Sequence, residues 1–227
     1  MNYNKHFNLE GKHAFLGASQ STWLRKTEDQ IIDSFARQYI QSIGTALHDI
    51  ARKHIKHRVK LTKSAKKEIF LSLVEDYRIP PFAIECGIEF DAVFENLMEY
   101  TNDAIGYRMV PEQILYYSDY CFGTADAISD LDSVILNRSL RIHDLKTGLT
   151  RAHIEQLEIY TALFCLEYNI KPSDINIELR IYQSQKDEDD ILHPEVLILN
   201  PTAEDIVPIM DKIVSIDKKI NSIIEEI

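Results

Sequence analysis

LRIHDLKTG, residues 140–148, is the stretch of sequence that decides the fold. Its residues alternate in character as they do along a β-strand, and Thr147-Gly148 at its end is a turn signal. Residues two apart in a strand point to the same face. Asp144 and Lys146 are therefore expected to lie side by side at the end of a strand, a carboxylate next to an ammonium.

The segments around this stretch complete the pattern of a mixed sheet. Residues 110–118 and 121–129 suit two strands joined by a tight turn, and with residues 139–146 they predict a three-stranded antiparallel meander. A helix is predicted over residues 150–168, and residues 175–185 return as a strand that lies beside the third through a right-handed crossover. Residues 193–200 suit a further edge strand.

Apolar periodicity predicts helices at both ends of the chain. We expect helices over residues 28–56, 62–78 and 89–101, with a break at Ile79-Pro80-Pro81, and a closing amphipathic helix over residues 202–227. The predicted organisation is one α/β (α+β) domain over residues 1–227. Its parts are a mainly helical region (1–105), an αβββαβ-type core (106–200) with the central sheet flanked by helices, and a C-terminal helix (201–227).

Composition restricts the class of protein. The chain has 227 residues, of which 45% are hydrophobic and 27% charged, as is usual for a globular protein. No apolar run reaches the roughly 18 residues that a membrane helix needs, so no membrane association is expected. The three cysteines are far apart in sequence, which argues against a zinc site or an iron–sulfur cluster and favours a reduced, cytoplasmic setting.

Charge is distributed unevenly along the chain. The net charge of −11 argues against a general nucleic-acid coat protein. Residues 51–67, however, carry eight lysines and arginines and no acid. Such a run is ordinarily a solvated helix face. Beside a metal site it becomes a candidate DNA track, which would use Arg52, Lys53 and Lys56.

The acids on the predicted strands suit phosphodiester hydrolysis. Asp126 and Asp144 on adjacent strands would offer oxygens to Mg²⁺, the Leu145 carbonyl a further one, and Lys146 would contact the attacking water or the scissile phosphate. Glu112 is a candidate ligand through water. An isolated Asp-x-Lys pair is ordinarily an exposed ion pair, and Glu112 has an equally ordinary interpretation as a surface acid.

His48 is a further candidate ligand, on the first predicted helix. An isolated histidine is ordinarily half-buried, with its ring nitrogens hydrogen-bonded to neighbouring residues. Gly44, one turn earlier, costs about 1 kcal/mol against alanine within a helix, so a close approach of another segment is expected there.

Taken in order, GTALH (44–48), FGTADAI (122–128), HDLKTG (143–148) and QLEIY (156–160) resemble the motifs of the RecB-like branch of the PD-(D/E)xK nuclease superfamily. The resemblance extends from about Ser19 to about Tyr182. It implies a restriction-endonuclease-like core and a stand-alone, phage-type exonuclease that uses Mg²⁺ or Mn²⁺. Several relatives carry a four-cysteine iron–sulfur cluster, which this chain cannot form, and no helicase phosphate loop is present.

The resemblance also assigns roles to individual residues. His48, Asp126, Asp144 and the Leu145 carbonyl would hold the metal, Lys146 would be the catalytic lysine, and Gln156 and Tyr160 would contact DNA or brace the site.

Partners and two alternative functions follow from the same features. DNA is the implied partner. A recombination or single-strand-annealing protein that supplies a basic track is a second candidate partner, and the oligomeric state is left open. One alternative is a nuclease-fold DNA-binding protein without turnover. The other is a partner-binding protein that acts through its acidic surface and C-terminal helix.

Overall fold

The computed structural model describes residues 5–10, 12–131, 138–148, 153–189 and 191–225. Seven α-helices and five strands lie in these ranges. The helices are α1 Glu28–Ala36, α2 Ile40–His57, α3 Lys66–Glu75, α4 Pro81–Gly87, α5 Phe90–Gly106, α6 Glu155–Glu167 and α7 Ala203–Glu225. The strands are β1 Val110–Ser118, β2 Cys121–Leu131, β3 Ser139–Lys146, β4 Asn176–Lys186 and β5 Leu192–Leu199.

The strands form one mixed sheet in the order β1-β2-β3-β4-β5. β1 pairs antiparallel with β2, and β2 antiparallel with β3, whereas β3 pairs parallel with β4 and β4 antiparallel with β5. The predicted bounds of β1 and β3 are confirmed, and so is the parallel pairing of β3 with β4 across the α6 connection. The sheet is thus flanked by helices, as an α/β arrangement requires.

Both faces of the sheet are buried where β3 crosses it. Leu145 packs into the core that α2, α3, α4 and α5 form on one face. Leu140 and Ile142 pack into the core on the other face, with residues of α6 and α7. This central position explains why β3 is buried along most of its length, including the carboxylate of Asp144.

The prediction of a single helix over residues 28–56 is wrong in one respect. A 3₁₀ turn at Arg37–Tyr39 separates α1 from α2. The rings of Phe35, in α1 just before that turn, and of Tyr39, the last residue of the turn, both contact Phe82 of α4, at centroid distances of 5.7 and 6.2 Å. We attribute the tightened turn to this tertiary packing, which the helical periodicity of the segment does not reveal.

The second predicted helix, over residues 62–78, is shorter than expected. It consists of a 3₁₀ turn at Lys63–Ala65 followed by α3. The proline pair after it was predicted only as a break, but Pro81 is the first residue of α4. Proline is well suited to that position because its missing N–H has no partner in the first turn of a helix.

The remaining helices differ from prediction mainly at their ends. α5 continues to Gly106, and α6 begins at Glu155 instead of residue 150. Residues 150–152 and 226–227 of the predicted helices lie outside the described residues. In the described part of the chain, no helix has the length and apolar character that a bilayer crossing demands.

The C-terminal helix docks on the domain through its first half. Ile206 of α7 is buried, and Ile209, Met210 and Ile213 pack against the same core as α6. Docking of this helix was the expected outcome. Its later apolar residues are left exposed, namely Ile216, Ile223 and Ile224.

Candidate active site

The end of β3 joins a buried carboxylate to a partly exposed lysine. The side chain of Asp144 is only 3% exposed, whereas that of Lys146 is 32% exposed. Lys146 Nζ donates a hydrogen bond to Asp144 Oδ1 at 3.1 Å and lies 3.0 Å from Oδ2, which receives no directed hydrogen bond. The predicted pairing of these two residues on one face of the strand is confirmed.

Helix α6 extends this pair into a chain of polar contacts. Lys146 Nζ also donates to Gln156 Oε1 at 3.1 Å, and Gln156 Nε2 donates to the Tyr160 hydroxyl at 2.9 Å. Gln156 and Tyr160 are four residues apart and so lie on the same side of the helix. The structure therefore brings together two of the motifs that the sequence analysis singled out, HDLKTG and QLEIY.

Gly123 of β2 gives Tyr160 the room to take this position. A Cβ atom placed on Gly123 would lie 2.7 Å from Tyr160 Cε1, which no real side chain tolerates. The glycine of the FGTADAI segment is thus explained by the close approach of an aromatic ring.

Gly123→Ala is expected to destabilise the fold by about 1–3 kcal/mol, because the ring must move away from the strand. Urea unfolding of the single variants and of Gly123→Ala combined with Tyr160→Ala measures this. In the Tyr160→Ala background the added methyl group should cost little. An equal cost in both backgrounds would contradict this account.

Asp126 of β2 links the strand end to helix α2. His48 Nδ1 lies 3.3 Å from Asp126 Oδ2, and the same oxygen accepts a hydrogen bond from the Leu145 N–H at 3.2 Å. The side chain of Leu145 is buried in the core, so only its main chain can serve the site. Of the predicted ligands, His48 and Asp126 are therefore in contact, beside the residues of β3.

The alternation of β2 is interrupted at Asp126. Ala125 packs into the core beneath α6, whereas Ala127 packs into the opposite core, although residues two apart in a regular strand share a face. Glu112 of β1, opposite Asp126 in the register, has a left-handed backbone with φ of 52°. Strand irregularities and strained non-glycine residues concentrate at functional sites, where they redirect side chains.

Register also relates the acids of the three strands to one another. Ala127 pairs with both Pro111 and His143, so Asp126, Glu112 and Asp144, each next to one of these three residues in sequence, lie at the same end of the three strands. Burial raises the pKa of the Tyr100 phenol well above its ordinary value, and the charges of Asp126, Asp144 and Glu112 raise it further. The three carboxylates thus act on one buried group.

The carboxyl group of Asp126 titrates abnormally. Burial and, after it, the negative charge of Asp144 raise the pKa of Asp126 from 3.8 to about 6. His48, the Leu145 N–H and Lys146 act in the opposite direction without compensating for the burial. A buried carboxylate beside a second carboxylate is an arrangement that a bound cation would stabilise.

This raised pKa predicts that the metal-free protein loses stability as the pH rises. The folded state holds a proton on Asp126 between pH 4 and pH 6, where the unfolded chain has released it, so the free energy of unfolding falls across this window. A shift of this size corresponds to about 3 kcal/mol. Urea unfolding in EDTA should show this dependence in the wild type and not in Asp126→Asn. Identical pH profiles would refute the assignment, and Asp33→Asn on α1 serves as the control.

The predicted ligands of a divalent cation come from three separate segments of the chain, α2, β2 and β3. Within the ranges that the structure describes, no three His, Cys, Asp or Glu side chains converge into a ready-made metal site. Asp144 Oδ2, however, is buried without a directed hydrogen bond, and such an oxygen is a suitable cation ligand. Binding by His48, Asp126, Asp144 and the Leu145 carbonyl therefore stays a prediction.

Glu112 takes a different partner from the one predicted for it. Its Oε2 lies 3.6 Å from Nε of Arg52 on α2, and its side chain is 51% exposed. In the structure Glu112 thus faces a cation of the neighbouring helix, and its part in metal binding stays a prediction.

A groove with a volume of about 780 Å³ lies between α2 and the ends of β1 and β3. Its lining includes His48, Glu112 and Thr147, which places it beside the site. The close approach expected at Gly44 occurs here, since a Cβ atom on Gly44 would lie 2.9 Å from Thr147 Oγ1. The other side of this turn is held by Gln183 of β4, which donates a hydrogen bond to the Gly148 carbonyl at 2.7 Å.

The predicted basic track reaches the groove only in part. Arg52 lines the groove, Lys53 lies beside it, and Lys56 is exposed without lining it. Two residues of this region were not predicted, Asp49 and Tyr77, and both line the groove. Asp49 directly follows His48 in sequence, but nothing in the sequence relates it to Tyr77, which lies 28 residues further on.

Comparison with known proteins adds no relative to this description: no family model, no curated protein and no solved structure matches the chain. The resemblance to RecB-like nucleases therefore stays a prediction from the order of the motifs.

Proposed function

We propose that this protein is a Mg²⁺- or Mn²⁺-dependent DNA nuclease with a restriction-endonuclease-like core. We further propose that it is an exonuclease that hydrolyses phosphodiester bonds in recombination, replication or repair. One observation carries the proposal. The Asp144–Lys146–Gln156–Tyr160 chain of contacts meets the Asp126–His48 pair at one end of the sheet.

The metal in this proposal would be held by His48, Asp126, Asp144 and the Leu145 carbonyl. When bound, a divalent cation neutralises phosphate charge and polarises the bond that is cleaved. The protein contributes a buried oxygen of Asp144 without a directed hydrogen bond, and a carboxyl group on Asp126 whose negative form is disfavoured in the free protein. Cation binding would relieve both features.

Lys146 would act directly on the phosphate. Its ammonium is fixed from two sides, by the buried carboxylate of Asp144 and by the amide oxygen of Gln156, yet remains partly exposed. A fixed positive charge favours the transition state, in which the phosphate oxygens gain negative charge. Because its partners are already in place, Lys146 does not have to be reoriented when the substrate arrives.

Gln156 and Tyr160 would position the lysine and the DNA backbone. Gln156 accepts from Lys146 and donates to Tyr160, so its amide fixes the direction of the whole chain. The Tyr160 hydroxyl keeps its own proton for donation, and a phosphate oxygen is a suitable acceptor. Helix α6 thus couples substrate contact to the position of the catalytic lysine.

The substrate would approach through the groove beside α2. Arg52 is the arginine that lines the groove, and the chain as a whole carries a net charge of −11. DNA binding outside the site should consequently be weak and sensitive to salt, unless a recombination or single-strand-annealing partner supplies a basic surface. Tight, salt-resistant binding without metal would argue against this account.

Degradation of end-labelled linear DNA tests the proposal. Duplex and single-stranded substrates are incubated with Mg²⁺, with Mn²⁺ and with EDTA. Loss of label only in the presence of metal would support the nuclease, and the end that is lost first gives the polarity. DNA binding without any degradation would favour the alternative, a nuclease-fold protein that binds DNA or a protein partner without turnover.

A further inference from the structure

Four donor atoms converge on the carboxylate of Asp49 of α2. The Tyr77 hydroxyl donates to Oδ2 at 2.5 Å, and Lys53 Nζ lies 2.9 Å from the same oxygen. Arg52 donates to Oδ1 through Nε at 3.1 Å and through a second guanidinium nitrogen. Lys53 Nζ also donates to the Tyr77 hydroxyl at 3.1 Å, so the donors hold one another in place.

This donor set has the composition of a phosphate-binding site. Arginine, lysine and a hydroxyl donor are the groups that bind phosphate oxygens, and arginine does so with two parallel N–H groups. The anion they hold in the structure belongs to the protein itself. The Tyr77 hydroxyl, the Lys53 ammonium and the Arg52 guanidinium all contact the Asp49 carboxylate, which takes the place that a phosphate would occupy among them.

The position of the cluster relates it to the candidate active site. Asp49, Arg52 and Tyr77 line the same groove as His48 and Glu112. Arg52 follows His48 by one helical turn, so both side chains point to the same side of α2. Arg52 also lies 3.6 Å from Glu112. An anion bound here would therefore lie in the same groove as the residues proposed to cleave DNA.

We propose that Arg52, Lys53 and Tyr77 form a binding site for a backbone phosphate of the DNA substrate, and that Asp49 occupies this site until the substrate displaces it. The inference rests on the proposed function, since it takes DNA as the ligand. A phosphodiester carries one negative charge, as the Asp49 carboxylate does. The exchange therefore replaces one anion by another and leaves no cation unpaired.

Competition between Asp49 and phosphate has an unusual consequence for mutation. Asp49→Asn keeps the shape of the side chain and removes its charge, which releases Arg52 and Lys53 for the substrate. We expect the variant to bind DNA about three- to tenfold more tightly, a change of the size that one ion pair produces. If the Asp49 carboxylate only stabilised the fold, Asp49→Asn would leave the affinity for DNA unchanged or lower it.

The test measures binding without turnover. A short fluorescein-labelled oligodeoxythymidine is titrated with protein in EDTA, and fluorescence anisotropy gives the dissociation constant. Asp33→Asn is the matched control, because Asp33 also pairs with an arginine, Arg37, and its substitution changes the net charge equally. Asp33 is not among the residues that line the groove. Binding by this control should stay within about twofold of the wild type.

Two further variants make the result specific. Arg52→Gln in the Asp49→Asn background should abolish the gain. In the wild-type background, Arg52→Gln and Lys53→Gln should each weaken binding and reduce its salt dependence. If Asp49→Asn does not fold, unchanged binding in these two variants would still overturn the proposal.

Other outcomes separate this proposal from the nuclease proposal. No gain in Asp49→Asn, or an equal gain in Asp33→Asn, would overturn the phosphate site even if the wild type degrades DNA. A clear gain in a protein that degrades no DNA would support the phosphate site and count against the nuclease.

Discussion

Replacement of Lys146 by alanine is expected to abolish DNA cleavage, with a loss of at least about a hundredfold in turnover. The lysine is held by the Asp144 carboxylate and by Gln156, and it is exposed enough to reach a phosphate. Alanine removes the charge that would stabilise the transition state. The measurement is single-turnover cleavage of end-labelled DNA in Mg²⁺ and in Mn²⁺.

Two controls separate chemistry from folding in this experiment. Lys171→Ala removes an exposed lysine between α6 and β4 and should cleave like the wild type. Lys146→Ala itself should still bind DNA, because Arg52 and the groove are unchanged. A Lys146→Ala protein that is folded and cleaves at the wild-type rate would refute the assignment of Lys146.

Asp144→Asn should remove stabilisation by Mn²⁺ together with cleavage. A site that binds the ion only in the folded state gains about 2.7 kcal/mol at a hundredfold excess over Kd. For a chain of this size that gain corresponds to a rise in Tm of roughly 5–10 °C. The wild type should show this rise, and Asp144→Asn should lose it, since a buried carboxylate oxygen that would bind the cation becomes part of a neutral amide.

Without metal, Asp144→Asn is expected to change the stability of the protein in the opposite direction. Asp144 raises the pKa of Asp126, so its neutralisation relieves repulsion between two carboxylates. In EDTA, the free energy of unfolding should therefore fall less between pH 4 and neutral pH in Asp144→Asn than in the wild type. Differential scanning fluorimetry with and without Mn²⁺ measures both effects. Asp130→Asn, on the same strand as Asp126, is the control, and equal Mn²⁺ stabilisation of Asp144→Asn and the wild type would exclude Asp144 as a ligand.

Local patterns predicted the strands of the site well. The bounds of β3 follow from alternation that ends at a turn signal, and both are properties of nearest neighbours in sequence. The contact between Asp144 and Lys146 follows from the same period of two. The placement of Gln156 and Tyr160 on the same side of α6 follows from the 3.6-residue period of the helix. These contacts are short in sequence, so a single chain segment specifies them.

Predictions failed where distant segments meet. The 3₁₀ turn between α1 and α2 depends on Phe82, and the start of α4 at Pro81 was missed because proline was treated only as a breaker. Gly44 and Gly123 both stand in the motifs, but the sequence did not predict that Gly44 lies against Thr147 and Gly123 against Tyr160. The motif order indicated which residues belong to the site without indicating how they touch.

The sequence by itself determined the type and order of most helices and strands, the Asp-x-Lys pair and the residues to test, because alternation and helical spacing act within one segment. Only the tertiary structure decided that Asp126 is half-buried beside His48, that Arg52 lies between Asp49 and Glu112, and that Tyr77 completes a cluster on α2. Burial and long-range contacts set the pKa of a carboxylate and the partner of a cation. Both depend on how separate segments pack, which no local pattern contains.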